Sequence, residues 1–131
     1  MSQDLVKAAI EAMQNAYAPY SQFSVGAAIL DEDGRIHSGG NVENAAYPNG
    51  ICAETSAIAA MVSAGGRQII EIAVAGRGAV LCTPCGGCRQ RIREFATQET
   101  PIHICDETGL RQSHRLDALL PLSFGPDNLT S

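Results

Sequence analysis

Four residues of this 131-residue chain combine types that can do chemistry: Cys52 and Glu54 in "GICAETSA", and Cys85 and Cys88 in "TPCGGC". Thiolates and carboxylates are costly to bury unless something positive holds them. Cys85 and Cys88 lie three positions apart at a helix start, which puts both sulfurs on one side of the first turn. Free N–H groups and the helix dipole favour thiolates there, and Gly86 and Gly87 let the backbone come close to the sulfurs. Alone, a CxxC pair also suits redox chemistry. Cys52 changes the weighing, because it too sits at a helix start and two helices of a layered domain can aim their N-termini at one point. Disulfide pairing has no use for three thiols. Zinc does: a catalytic zinc keeps three protein ligands and leaves its fourth position for water. Glu54, two residues after Cys52, would stand beside such a metal without having to coordinate it. A carboxylate there can take and redeliver the proton of a metal-acidified water.

A closed structural site would need a fourth ligand. Cys82, Cys105, His37, His103 and His114 have no spacing that supplies one. Cys82 and Cys105 read as small core residues, and the three histidines as surface or strand-edge residues.

The elements that must position these residues follow from period and punctuation. "SQDLVKAAIEAMQNAY" reads as an opening helix, capped by Ser2, with a stripe of Leu5, Ala8, Ala9, Ala12, Met13 and Ala16, and it breaks at Pro19. "SVGAAIL", the turn "DEDG" and "RIHSGGNVE" read as a hairpin, and residues 44–50 as a loop. "CAETSAIAAMVSAGG" is a helix stopped by Gly65 and Gly66, apolar almost all round and so expected to be central and buried. "IIEIAVAGR" is a buried strand, "CGGCRQRIREFA" a helix from Cys85, "PIHIC" a strand, and "QSHRLDALLP" a short last helix before a tail. The order implies one α/β layered domain over residues 1–131, with helices covering a mixed sheet.

Composition narrows the function classes. The formal charge of -5 makes nonspecific nucleic-acid or anionic-membrane binding a poor fit, and the cluster Arg89, Arg91 and Arg93 reads as a solvated helix face. With 45% apolar residues the chain has material for a core without disulfides. No apolar run follows a basic start and none is long enough to span a bilayer. Five cysteines, an odd number, fit a reduced, cytoplasmic compartment.

"CAE" followed by "PCGGC" resembles the zinc-dependent cytidine deaminase family. "AYAPYSQFSVGAAI", "GGNVENAAYPNGICAE" and "TPCGGCRQ" resemble its segments in order, over most of the chain. The resemblance implies a three-layer α/β/α sandwich with a mixed five-stranded sheet. It also implies a homotetramer whose active sites are shared between subunits, and a place in pyrimidine salvage. It implies one zinc per subunit on Cys52, Cys85 and Cys88, with water or hydroxide as fourth ligand. Glu54 would deprotonate that water and protonate N3 of the cytosine ring, hydroxide would add at C4, and ammonia would leave. Cytidine or 2′-deoxycytidine would become uridine or 2′-deoxyuridine. The Ala53 backbone would hold the base's O2 and the Thr83 carbonyl its amino group. Asn41 and Glu43 resemble the family's ribose-binding pair. Phe23 would pack near the nucleoside, Phe124 would stack on the pyrimidine of a neighbouring subunit, and Tyr47 would lie near the 5′-hydroxyl across subunits.

One position departs from the pattern. Many small members have arginine after the glutamate, where this chain has Thr55. Zinc with three thiolates keeps a surplus negative charge, so compensation is expected from Arg89, from helix N-termini or from another subunit, with the acidity of the zinc water tuned differently. Three other readings compete. A thioredoxin-like module on "CGGC" would leave Cys52, Glu54 and "NVEN" unexplained, and a structural zinc module would have no use for Glu54. A relative acting on another aminopyrimidine nucleoside, of the blasticidin S type, is a nearer alternative; "NVEN" and Phe124 favour a plain nucleoside.

Overall fold

The computed structural model describes residues 2–130; the capping role read for the Ser2 side chain lies outside the described residues. Helix α1 (Ser2–Gln14) is followed by the hairpin β1 (Val25–Asp31) and β2 (Ile36–Gly40), a 3-10 turn (Tyr47–Asn49), α2 (Ala53–Ser63) and β3 (Ile69–Gly76). Then come α3 (Gly86–Phe95), β4 (Pro101–Asp106), β5 (Gly109–Arg115), and the short helices α4 (Leu116–Leu119) and α5 (Asp127–Thr130). The strands form one mixed sheet in the order β2-β1-β3-β4-β5. β3 and β4 run parallel, joined through α3, and the other neighbours pair antiparallel.

Strand alternation sends residues to two cores. Ala27, Ile29, Ile72, Val74, Ile102 and Ile104 face α2 and α3, where Ala57, Ile58, Met61 and Ile92 meet them. Ala28, Leu30, Ala73, Ala75 and Cys105 face α1 and its stripe of Leu5, Val6, Ala9 and Met13. The result is the expected α/β/α sandwich with a mixed five-stranded sheet.

Three expectations change. "QSHR" is not helical: it lies in β5, pairing Ile102 with His114 and Pro101 with Arg115, and only Leu116–Leu119 forms the helix. α2 buries one face, through Ala53, Glu54, Ala57, Ile58 and Met61, while Ala59 is exposed and Ala60 and Val62 are half-buried. His103 is buried rather than superficial, because a carboxylate holds it: its Nε2 donates to Glu71 Oε1 at 2.7 Å. His37 stays half-buried on the edge strand β2, the strand-edge position expected of it, with Nε2 donating to Asp31 Oδ2 at 2.7 Å.

α2 reaches its place because β2 is nearly bare beneath it. A Cβ on Gly39 would lie 2.5 Å from Ser56 Cβ, and Ser56 Oγ donates to Gly40 O at 2.9 Å. This fixes the first turn of α2, and with it Cys52 and Glu54.

Asp31 ties the hairpin turn together. Burial alone would raise its pKa. The hydrogen bonds it accepts from His37 and from the amides of Arg35 and Asp33, with the Arg35 charge, bring it down to about 2. A carboxyl with a lowered folded-state pKa contributes stability that is present above its unfolded value and lost as pH falls through the folded one. Urea midpoints should therefore drop between about pH 4 and pH 2. Asp31→Asn should be less stable at neutral pH by about 1–3 kcal/mol and should show a shallower acid limb. The remaining slope comes from Asp106, also held at about 2 by Thr108 and Arg111, together with Glu32 and Glu43, whose carboxyls are likewise lowered.

Candidate metal and catalytic site

Cys52 is the N-cap residue of α2 and Cys85 that of α3; Cys88 lies in the first turn of α3. The two helix starts converge, so the Sγ atoms of Cys52, Cys85 and Cys88 all lie within 4.8 Å of one another. Zinc–sulfur bonds of about 2.3 Å at tetrahedral angles set sulfurs roughly 3.8 Å apart, so small adjustments bring the three onto one ion. Among the described residues this is the one cluster of three or more His, Cys, Asp or Glu ligand atoms close enough to share an ion, and no histidine belongs to it.

The electrostatics also call for a cation. Burial pushes the Cys88 thiol strongly upward, with the charges of Glu54 and Cys52 adding to it, and burial raises Cys52 as well. Cys85 moves the other way, because the backbone N–H groups of Cys88 and Gly87 face its sulfur. Glu54 is 4% exposed, and burial raises its carboxyl, partly offset by a hydrogen bond with the Cys88 side chain and by the charge of Arg91. Two sulfurs and a carboxyl that resist ionising, beside a third sulfur that favours it, are a donor set a divalent ion would complete. Zinc fits it by ligand softness and number. Cys82 stays outside: its sulfur packs where a Cβ on Gly76 would sit, and burial with the charge of Glu54 raises it to about 11.

The polar residues of "NVEN" hold the chain itself. Asn41 Oδ1 accepts from Val25 N at 2.9 Å and Nδ2 donates to Phe23 O at 3.0 Å, joining the end of β2 to the approach to β1. The Glu43 carboxylate accepts from Tyr20 N, Ser21 N and the Ser21 hydroxyl, and these bonds lower its pKa. Glu43, Tyr20, Ser21, Asn44, Tyr47 and Gly50 line a cavity of about 340 Å³. The Tyr20 and Tyr47 rings meet at 6.0 Å with a 58° tilt. The cysteines do not line this cavity. Ala53 is buried at the first turn of α2, and the Phe23 ring lies across from Gly76 near Cys82. Tyr47 is 76% exposed and Phe124 56% exposed, each on the surface of the single chain.

The arginine cluster is a solvated face only at Arg91, which is exposed. Arg89 is half-buried, donating from Nε to Pro84 O and from Nη1 to Leu119 O, each at 2.7 Å, with a longer contact from Nη2 to Thr83 Oγ1. It fixes the loop before Cys85 and does not reach a sulfur. Arg91 does, with Nη1 3.9 Å from Cys88 Sγ. Arg93 is buried and holds the C-terminal segment, donating from Nε to Ser123 Oγ at 3.0 Å, while Gln90 Nε2 donates to Phe124 O at 2.7 Å. The sequence alone singles out these arginines but not their acceptors, and it gives no role to Tyr20, Ser21 or Gln90. The spacing of arginines at alternate positions carries the one usable signal, since 89 and 93 share a helix face and 91 does not.

Gly125 leaves no room beside Arg93, where a Cβ would fall 2.4 Å from Cζ. Gly125→Ala should displace the buried guanidinium from its acceptors and cost about 1–3 kcal/mol by thermal or urea unfolding, with metal content unchanged.

The comparisons agree with this geometry. The family model for the cytidine and deoxycytidylate deaminase zinc-binding region matches residues 1–104. The cytidine deaminase of Halalkalibacterium halodurans is 39% identical over 127 residues, covering 97% of this chain and 96% of its own. That of Mycobacterium tuberculosis is 44% identical over 122 residues, covering 92% and 87%. The crystal structure of cytidine deaminase from Burkholderia pseudomallei superposes with a TM-score of 0.88 at 37% identity, covering 95% of this chain and 99% of the other. With the matched region spanning both helix starts and all three sulfurs, the chain belongs to the zinc-dependent cytidine deaminase family.

Proposed function

We propose that the protein hydrolyses cytidine and 2′-deoxycytidine to uridine and 2′-deoxyuridine with release of ammonia. The observation that carries this reading is a buried carboxylate, Glu54, beside three convergent sulfurs on two helix N-termini. Cys52, Cys85 and Cys88 would hold zinc, which when bound supplies a Lewis acid that makes water a nucleophile near neutral pH.

The chain's own groups do the rest. Glu54 accepts the proton of the attacking water, gives it to N3 of the base so that C4 becomes electrophilic, and returns a proton to the departing amine. The Ala53 N–H donates to O2 of the pyrimidine and the Thr83 carbonyl accepts from its 4-amino group. Glu43 and Asn41 bind the ribose hydroxyls through the acceptor and donor capacity left after their backbone bonds. Phe23 packs on the nucleoside.

Tyr47 and Phe124 act on a neighbouring subunit's site. Their exposure, with that of Ile51 at 45% and the small apolar residues left uncovered on α2, supports a homotetramer with shared sites. A small nucleoside is favoured over nucleic acid by the acidic charge. No helix is long and apolar enough to cross a membrane, and five cysteines without a pairing pattern fit a reducing cytoplasm and a role in pyrimidine salvage.

The test is the loss of cytidine and deoxycytidine absorbance by zinc-loaded protein, with ammonia measured in parallel. Stoichiometric ammonia and uridine support the proposal. Inertness toward both nucleosides from a zinc-loaded protein would overturn it.

A further inference from the structure

Three thiolates against a divalent ion leave one negative charge, and an ionised Glu54 beside them leaves two. Charge of this kind beside the buried Cys88 and Glu54 must be answered locally. The helix N-termini answer part of it, with N–H groups facing Cys85. Cys88 is buried and lies one turn before Arg91 on α3, at the spacing that brings side chains together on one face. Arg91 folds back along the helix toward that sulfur, with Nη1 3.9 Å from Cys88 Sγ. Gly87 makes this path available, since a Cβ there would lie 3.2 Å from the same Nη1. Arg89 and Arg93, on the neighbouring face, are committed to backbone carbonyls and to the C-terminal segment.

We propose that Arg91 is the counter-charge of the three-sulfur centre, a positioning residue that donates to Cys88 Sγ and offsets the negative charge that zinc leaves uncancelled. The inference rests on the zinc site proposed above. Arg91 acts on the metal through Cys88: a guanidinium at the sulfur stabilises the thiolate, lowers its electron donation to the metal and holds it in register with Cys52 and Cys85. Because Arg91 is exposed, removing its charge opens no cavity, and its influence is open to screening by salt.

The experiment uses the full-length, zinc-loaded protein and the variants Arg91→Met, Arg91→Gln and Arg91→Lys. Zinc affinity is read by competition with a chromophoric chelator, and the centre is also loaded with Co2+ to read the sulfur-to-metal charge-transfer band. Met and Gln should weaken zinc binding about 10–100-fold and shift the band, whereas Lys should restore most of both. The difference between wild type and Met should shrink in about 1 M salt. Zinc affinity and band position unchanged in both uncharged variants would overturn the assignment, as would equal losses in Met and Lys. A wild-type protein that takes up no zinc fails the zinc site itself. A wild type that binds one zinc and deaminates cytidine, with variants indistinguishable from it, fails the assignment to Arg91 alone.

Discussion

Glu54→Gln should abolish turnover while leaving the metal in place. The carboxylate sits at the first turn of α2, 4% exposed, hydrogen-bonded with the Cys88 side chain. Glutamine matches its shape and can still accept a hydrogen bond, so packing around Cys88 is retained. It can neither take a proton nor return one. General acid–base catalysis by one group accounts for about 10²–10⁴-fold in rate, and in the proposed reaction the same group would serve the attack on C4, the protonation of N3 and the departure of ammonia. The expected loss in kcat is therefore at or beyond the top of that range, with zinc content equal to wild type. Zinc analysis beside a single-turnover assay separates the two quantities. A Gln variant with a few per cent of wild-type activity would place the proton transfers elsewhere.

Cys52→Ala should have the second largest effect, and through a different quantity. Structural zinc in four-ligand peptide sites is held by about 10–16 kcal/mol, so one ligand is worth roughly 3–4 kcal/mol and its removal about 10²–10³-fold in affinity. The variant should lose zinc to a mild chelator and lose activity with it, and the thermal stabilisation that zinc confers on the wild type should shrink by mass action. Cys82→Ala is the matched control. Its thiol, raised to about 11 and packed against Gly76, is a poor thiolate at neutral pH, and its loss should leave zinc affinity unchanged. A Cys82→Ala variant that loses zinc as Cys52→Ala does would mean that four sulfurs close the site.

The contrast between legible and illegible features has a physical basis. The helix starts at Cys52 and Cys85 were readable because ligand spacing, flanking glycines and Pro84 act locally on the backbone. The strands β1, β3 and β4 were readable because burial on both faces demands continuous apolar runs. β5 was not. Its sequence GLRQSHR has no apolar alternation because it is an edge strand, exposed along most of its length and held by backbone pairing with β4. Arg89 and Arg93 were misread for a related reason: residue type announces a charge and not its acceptor. Arg89 and Arg93 satisfy backbone carbonyls and a segment some thirty residues downstream, contacts that exist only after the chain has folded. Asn41 and Glu43 were singled out for a sugar, and their visible partners are the backbone of residues 20–25 and the Ser21 hydroxyl. A group already ordered by two or three internal bonds is preorganised for a ligand, and the sequence shows only its type.

X-ray absorption at the zinc edge of the wild-type protein tests the central claim most directly, namely that three sulfurs hold zinc in an open site. It should return three sulfurs at about 2.3 Å and one oxygen at about 2.0 Å, with the oxygen shell perturbed when a nucleoside analogue is added. Four sulfurs and no light atom would describe a closed structural site and contradict the account.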